Sequence, residues 1–327
     1  MLHSKVRRPV FQKMGFSVGH YLGPRATIRT LPASLTARKI RERMIEFGMF
    51  LCALSSIAIT LGIVGILLFE SWHFFATVSL IDFLTDTQWT VLFENPRYGI
   101  MPLVAGTLVT SMVALLVALP LGTTIAIYLS EYAKPNLREI LKPILELLSA
   151  VPTVVFGYFA LLFVTPLLQS VLPDLPGFNM LSAGIVIGIM VIPYVSSLSE
   201  DAIKAVPVNI REGSYAMGAT RLQTALRVLV PSAFSGIASA YVLGFSRAVG
   251  ETMVVAIAAG QQPNLTLNPM EGAATITAYI VQVSLGDLPH GSVAYQSIFA
   301  AGLTLMAMTL IFNIGGYFLR KRFREIY

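Results

Sequence analysis

Arg247 and Glu251 are the residues of this 327-residue chain whose chemistry and setting most need explaining. They stand in Gly244-Phe245-Ser246-Arg247-Ala248-Val249-Gly250-Glu251-Thr252-Met253, about halfway along an apolar run, 230–260. A lone charge at that depth of a bilayer costs on the order of 2.5–3.5 kcal/mol on insertion scales. If the run is one helix, a spacing of four places both groups on one face, about 6 Å apart and able to pair. Such a pair must face protein or water. Either it fastens neighbouring helices, or with Ser246 and Thr252 it lines a solute path. Arginine presents a planar fork of donors that fits a tetrahedral oxyanion, and Gly244 and Gly250 leave room beside it or let helices approach.

A second constellation lies in the loop 200–229. Pro207 suits the start of a short helix, because the N–H it lacks has no partner in a first turn. Gly218, eleven residues on, permits the positive φ that stops one. The next helix starts near Thr220 and meets the membrane at Pro231. Tyr215, Met217 and Leu222 set apolar side chains among charges. That composition suits a docking knob for a partner or an interfacial helix resting on headgroups.

Both constellations must be positioned by a membrane bundle. Hydrophobic residues make up 55% of the chain and charged residues 12%, against about 25% charged in a soluble domain, and mean hydropathy is +0.72. These values argue against a water-soluble enzyme. Six apolar runs, 47–70, 101–130, 141–169, 181–199, 230–260 and 293–319, are each long enough to span, which predicts an all-α polytopic membrane protein with six transmembrane helices. With both termini cytoplasmic, 21 of the 23 Lys and Arg fall on the inner side and seven acids on the outer, as the positive-inside tendency requires. The chain then divides into a basic cytoplasmic tail, 1–46; a first transmembrane helix and outer loop, 47–100; a core, 101–319, carrying the loop 200–229; and a basic cytoplasmic C-terminus, 320–327. The tail is expected to stay solvated or to lie on anionic headgroups, with a transit peptide as its alternative reading.

Other chemistry finds no support. No Gly-Lys dipeptide occurs, so a phosphate-binding loop is missing and no ATP hydrolysis by this chain, no catalytic residue and no cofactor are expected. His3, His20, His73 and His290 lack metal-ligand spacing. Cys52, the single cysteine, can form neither an internal disulfide nor a thiolate metal site and is expected as a small buried hydrophobe. The net charge of +6 follows topology and does not point to nucleic acid. Pro152 and Pro193 are expected to kink or hinge their spans, Gly184-x-x-x-Gly188 to allow close helix contact, and Phe and Tyr near span ends to form interfacial belts.

Glu212-Gly213-Ser214, three residues, Gly218, nine residues and Val228-x-Val230-Pro231 resemble the E-A-A, x3, G, x9, I-x-L-P loop of binding-protein-dependent ABC importer permeases. Gly213 and Ser214 take the places of two alanines. Residues 244–253 further resemble the G-x-x-R-A-x-G-E-T-M stretch of phosphate-importer permeases of the PstC type. Glu146 to Gly157 is similar to their E-L-L-A-x-I-P-S-V-V-Y-G, and Ile192-Pro193-Tyr194 precedes the loop as in that family. The resemblance runs from about residue 101 to the C-terminus.

It implies a type I, MetI-like permease core in the inner or plasma membrane, bathed in lipid. Glu212, Gly213, Ser214, Tyr215, Met217 and Gly218 would form the coupling helix on a dimer of ATP-binding subunits. A second, PstA-like permease subunit would share the path, an extracytoplasmic phosphate-binding protein would sit above, and Arg247 would meet the anion. Glu251 would accept a hydrogen bond from protonated phosphate and repel sulfate. The competing readings are a permease for sulfate, molybdate or phosphonate, a secondary carrier or channel that needs no ATPase, and a scaffold that transports nothing.

Overall fold

The computed structural model describes residues 33–322, apart from 92, 94, 287 and 290. The tail before Ala33, His3, His20, His290 and the last five residues therefore lie outside the described residues. Two compact units are distinguished, Met1–Thr60 and Leu61–Tyr327.

Helix α1 runs from Ala33 to Thr77, beginning well before the span expected at 47. No proline occurs from 33 to 95 to interrupt it, and Arg38 Nε pairs with Glu42 Oε1 at 2.8 Å one turn on. In the first unit Cys52 is exposed, not buried as expected. The reason is that none of the most apolar stretch of α1 is buried against protein.

The second unit continues with α2 (Leu80–Thr85), α3 (Met101–Ile127), α4 (Pro135–Ala150), α5 (Thr153–Phe159), α6 (Thr165–Gln169) and α7 (Met180–Lys204). There follow α8 (Val208–Ala216), α9 (Arg221–Thr224), α10 (Val230–Ser232), α11 (Phe234–Val249), α12 (Met253–Ala258), α13 (Ile276–Ser284) and α14 (Val293–Arg322). Single wide turns at Tyr128–Tyr132, Ala160–Val164 and Ala225–Leu229 extend α3 and join α5 to α6 and α9 to α10. Among the described residues four helices are long and apolar enough to cross a membrane, or six if each of two bent pairs counts as one span.

Helix α7 is the axis of the core. Asn179 Oδ1 accepts from the Ser182 amide at 2.7 Å and caps its start, and Ala183, Val186, Ile187, Val191 and Val195 are fully buried along it. It meets α3 through the expected glycine pair. A Cβ on Gly184 would lie 2.6 Å from Val113, and one on Gly188 2.7 Å from the Ala114 carbonyl oxygen. Only hydrogen fits in either place.

Two expected spans are not single helices. Run 141–169 breaks at Val151-Pro152, where α4 and the α5–α6 pair meet at 88°. Proline holds the residue before it extended, and Val151 has φ −65° and ψ 131°. Helix α4 is therefore a separate amphipathic elbow with no fully buried residue. Run 230–260 also breaks. Its approach, Arg221–Ser232, meets α11 at 74°, and α11 ends at Val249. Gly250, Glu251 and Thr252 are non-helical before α12 begins.

At the end of the bundle away from α8, Phe74, Phe83, Trp89 and Tyr279 pack edge to face, with centroids 5.7 Å (Phe74–Phe83), 6.2 Å (Phe83–Trp89) and 4.9 Å (Trp89–Tyr279) apart. These rings are buried. They form a small core among the ends of α1, α2 and α13 and the segment carrying Trp89. Tyr279 shares a 2.6 Å hydrogen bond with Ser297, and burial pushes its phenol well above the ordinary range.

Candidate translocation and coupling site

The helix expected between Pro207 and Gly218 is α8. Pro207 precedes its first turn, Met217 closes it, and Gly218 turns the chain with φ +84°, a conformation costly for any residue with a Cβ. Thr220 then caps α9 in a reciprocal box, its hydroxyl accepting from the Gln223 amide while Gln223 Oε1 accepts from the Thr220 amide. Met217 is 88% exposed, and Tyr215 and Leu222 are also exposed. Glu212 and Gly213 face open space, and no atom lies within 4 Å of where a Gly213 Cβ would be, so the position accommodates the alanine of the loop pattern. Ser214 points the other way and shares a 2.9 Å hydrogen bond with Thr224.

Two ion-pair groups hold this surface to the bundle. Arg211 Nη2 lies 3.0 Å from Glu131 Oε1 and ties α8 to the wide turn that extends α3. Glu200, fully buried on α7, forms ion pairs: its Oε1 lies 2.9 Å from Arg138 Nε and accepts from Lys204, and its Oε2 lies 3.7 Å from Lys142 Nζ. Three cations around it offset the cost of holding that carboxylate out of water. The group pins the elbow α4 to α7. Sequence reasoning counted Arg138, Lys142 and Lys204 only as topology markers and missed Glu200, although Arg138–Lys142 and Glu200–Lys204 are each four apart.

The expected pairing of Arg247 with Glu251 is absent among the described residues. Because α11 stops at Val249, the two no longer share a helix face. Glu251 instead points forward: its Oε1 accepts from the Met253 and Val254 amides at 3.2 and 3.3 Å, capping α12, and its carbonyl accepts from Thr277 Oγ1 at 2.7 Å. A carboxylate is favoured at that position by the unpaired amides of a first helical turn. Arg247 lies over the ring of Tyr194 on α7, 4.6 Å from Cζ to centroid, and its Nε is buried with no hydrogen-bond partner among the described residues. Ser246 donates to Asn313 Oδ1 at 3.2 Å, and Thr252 to the Gly250 carbonyl at 3.3 Å.

Tyr194 also walls a cavity of about 240 Å³ on the α8 side of Arg247, lined further by Ser149, Ser197, Lys142 and Glu200. At the other end of the bundle a cavity of about 640 Å³ opens among Phe178, Ala256, Gln261 and Gln262. The bundle thus holds an arginine with no carboxylate partner among the described residues, stacked on a ring that walls a mainly apolar cavity edged by Ser149, Ser197, Lys142 and Glu200, and at the same end a short exposed helix followed by the bare side chain of Met217.

Residues 118–325 match the family described as Binding-protein-dependent transport system inner membrane component. The chain belongs to that family. It is similar to Probable ABC transporter permease protein YqgH of Bacillus subtilis, 36% identical over 276 residues, 84% of this chain and 88% of that protein. It is 32% identical over 289 residues to Phosphate transport system permease protein PstC of Mesorhizobium japonicum, covering 81% and 86% of the two chains. Among solved structures, a bacterial ABC transporter involved in the import of the acidic polysaccharide alginate aligns with TM-score 0.61 at 18% identity, covering 88% of this chain and 100% of that one. The MetNI methionine ABC transporter aligns with TM-score 0.52 at 18% identity, over 69% and 94%. These last two likenesses carry the fold, a MetI-like permease core.

Proposed function

We propose that this permease is one membrane subunit of an ATP-driven phosphate importer. Arg247 carries the reading: a guanidinium in the bundle with no carboxylate partner among the described residues, stacked on the ring of Tyr194, which walls a cavity reached by Ser149, Ser197, Lys142 and Glu200. A half-buried cation with no charge partner at that depth is costly to a protein that has no anion to bring there. The relatives whose names state phosphate transport supply the substrate. Ser246, Glu251 and Thr252 accompany Arg247 on the route, with Glu251 and Thr252 shaping the break through which α11 gives way to α12.

In this reading α8 seats on a dimer of ATP-binding subunits, with Met217 and Tyr215 as the apolar contact and Glu212, Gly213, Ser214 and Gly218 setting its shape. A PstA-like second permease completes the path, and an extracytoplasmic phosphate-binding protein delivers the anion to the far end. The termini, the basic tail 1–46 and the segment 320–327, face the cytoplasm, and 47–100 contributes the first span and outer cap. The test is uptake by the reconstituted complex with labelled phosphate. Uptake that requires ATP and resists competition by sulfate and molybdate is expected. Uptake without ATP would identify a carrier or channel, and equal competition by sulfate a general oxyanion permease.

A further inference from the structure

The α11–α14 seam opens into a pocket at the end of the bundle that carries α8. The two helices pack antiparallel: Phe245 lies edge-on to Phe312 at 4.4 Å, Ser246 reaches Asn313, Gly316 sits against Val242, and Arg320 Nη1 donates to Ser239 Oγ at 3.4 Å. Beyond Ser239 the helices part, because the chain bends by 74° between Ser232 and Phe234 while α14 runs straight on to Arg322. The resulting cavity, about 420 Å³, is lined by Ser235, Gly236, Ser239, Tyr317, Arg320 and Lys321.

The spacing makes this a binding face. Ser235 and Ser239 are four apart on α11, and Tyr317 and Lys321 four apart on α14; Ser239 donates to the Ser235 carbonyl at 2.8 Å and accepts from Arg320, so it orients the guanidinium while the Ser235 and Tyr317 hydroxyls and both cations converge on the pocket. One turn into the bundle the same faces change character. Leu243, four beyond Ser239, is 54% exposed, and Ile314, one turn before Tyr317, is 47% exposed. Hydroxyl and cationic donors below, with bare aliphatic surface directly above, match a phosphate that is attached to acyl chains. The volume is several times what a single tetrahedral oxyanion fills, and basic pockets between spanning helices hold lipid phosphates by these contacts.

We infer that this pocket binds the phosphodiester headgroup of an anionic phospholipid, held by Arg320, Lys321 and Ser235, with Ser239 orienting Arg320 and an acyl chain along Leu243 and Ile314. Only the choice of leaflet rests on the coupling role of α8; the binding itself does not. The site is separate from Arg247, which lies two turns further along α11.

The assembled transporter, reconstituted in vesicles of phosphatidylcholine with a minor fraction of phosphatidylglycerol, re-extracted and examined by native mass spectrometry, tests the assignment. The wild type should retain phosphatidylglycerol in preference to phosphatidylcholine. R320Q/K321Q should lower that preference roughly thirtyfold, about fivefold for each cation lost. S235A/S239A, which changes no charge, should lower it by about fivefold or more through lost hydrogen bonds. R322Q, on the same turn outside the pocket, should stay within about twofold of wild type. An equal loss in R322Q, no loss in S235A/S239A, no preference in the wild type, or displacement of the lipid by excess inorganic phosphate would each overturn the proposal. ATP-dependent uptake measured on the same samples reports separately on the transport reading.

Discussion

Arg247 stacks on Tyr194 and leaves Glu251 to cap α12, so the charged couple visible in the sequence is divided between two structural tasks. Tyr194 sits on the rigid axis helix, fixes the guanidinium by its ring face and at the same time walls the inner cavity. Tyr194→Leu should therefore slow phosphate uptake by roughly threefold to thirtyfold, the range of a partly desolvated cation–ring contact, while Tyr194→Phe stays within about twofold. Initial rates in reconstituted vesicles distinguish the two.

Glu251 gives an independent test. As a cap, Glu251→Ala should lower the stability of the complex by about 1 kcal/mol, and Glu251→Gln by less because an acceptor oxygen remains. Sulfate should stay excluded in both. Thermal denaturation of the purified complex alongside sulfate uptake checks this, and entry of sulfate into E251Q vesicles would show that the carboxylate itself faces the anion.

The shape of α8 depends on Gly218. At φ +84° a β-branched side chain is strained by about 1–2 kcal/mol, so Gly218→Val should displace the end of α8. Met217→Asp should place a charge where an apolar contact is expected. Both should lower the amount of ATP-binding subunit that co-purifies while leaving the permease in the membrane; full retention in both would remove α8 as the coupling surface.

Glu200 should matter for the elbow. Glu200→Gln removes the negative charge that holds Arg138, Lys142 and Lys204 together and leaves only a neutral acceptor, costing about 2 kcal/mol. Spin labels on α4 and α7 should then report a broadened distance distribution, with an unchanged distribution counting against the clamp.

The ends of α8 were legible because their signals are local: Pro207, Gly218 and the Thr220–Gln223 box each act within one turn. The Gly184–Gly188 contact was legible for the same reason. Of the breaks, Pro152 marked the first as a kink but not as a turn of 88°, and the one at Gly250 was not legible, because hydropathy records how far a run extends but not whether its axis turns. The partners of Glu200 were hidden differently. Its cations come from a separate helix, and only the fold of α4 back onto α7 brings them together. Tyr194 carried a family resemblance but no sign that its ring would lie under Arg247.

ATP-dependent phosphate uptake by vesicles holding the Arg247→Ala complex decides whether the anion passes this guanidinium. A fully assembled complex that still binds its ATP-binding subunits and imports no phosphate is expected. An assembled complex that imports phosphate at the wild-type rate would contradict this expectation and reduce Arg247 to a packing residue.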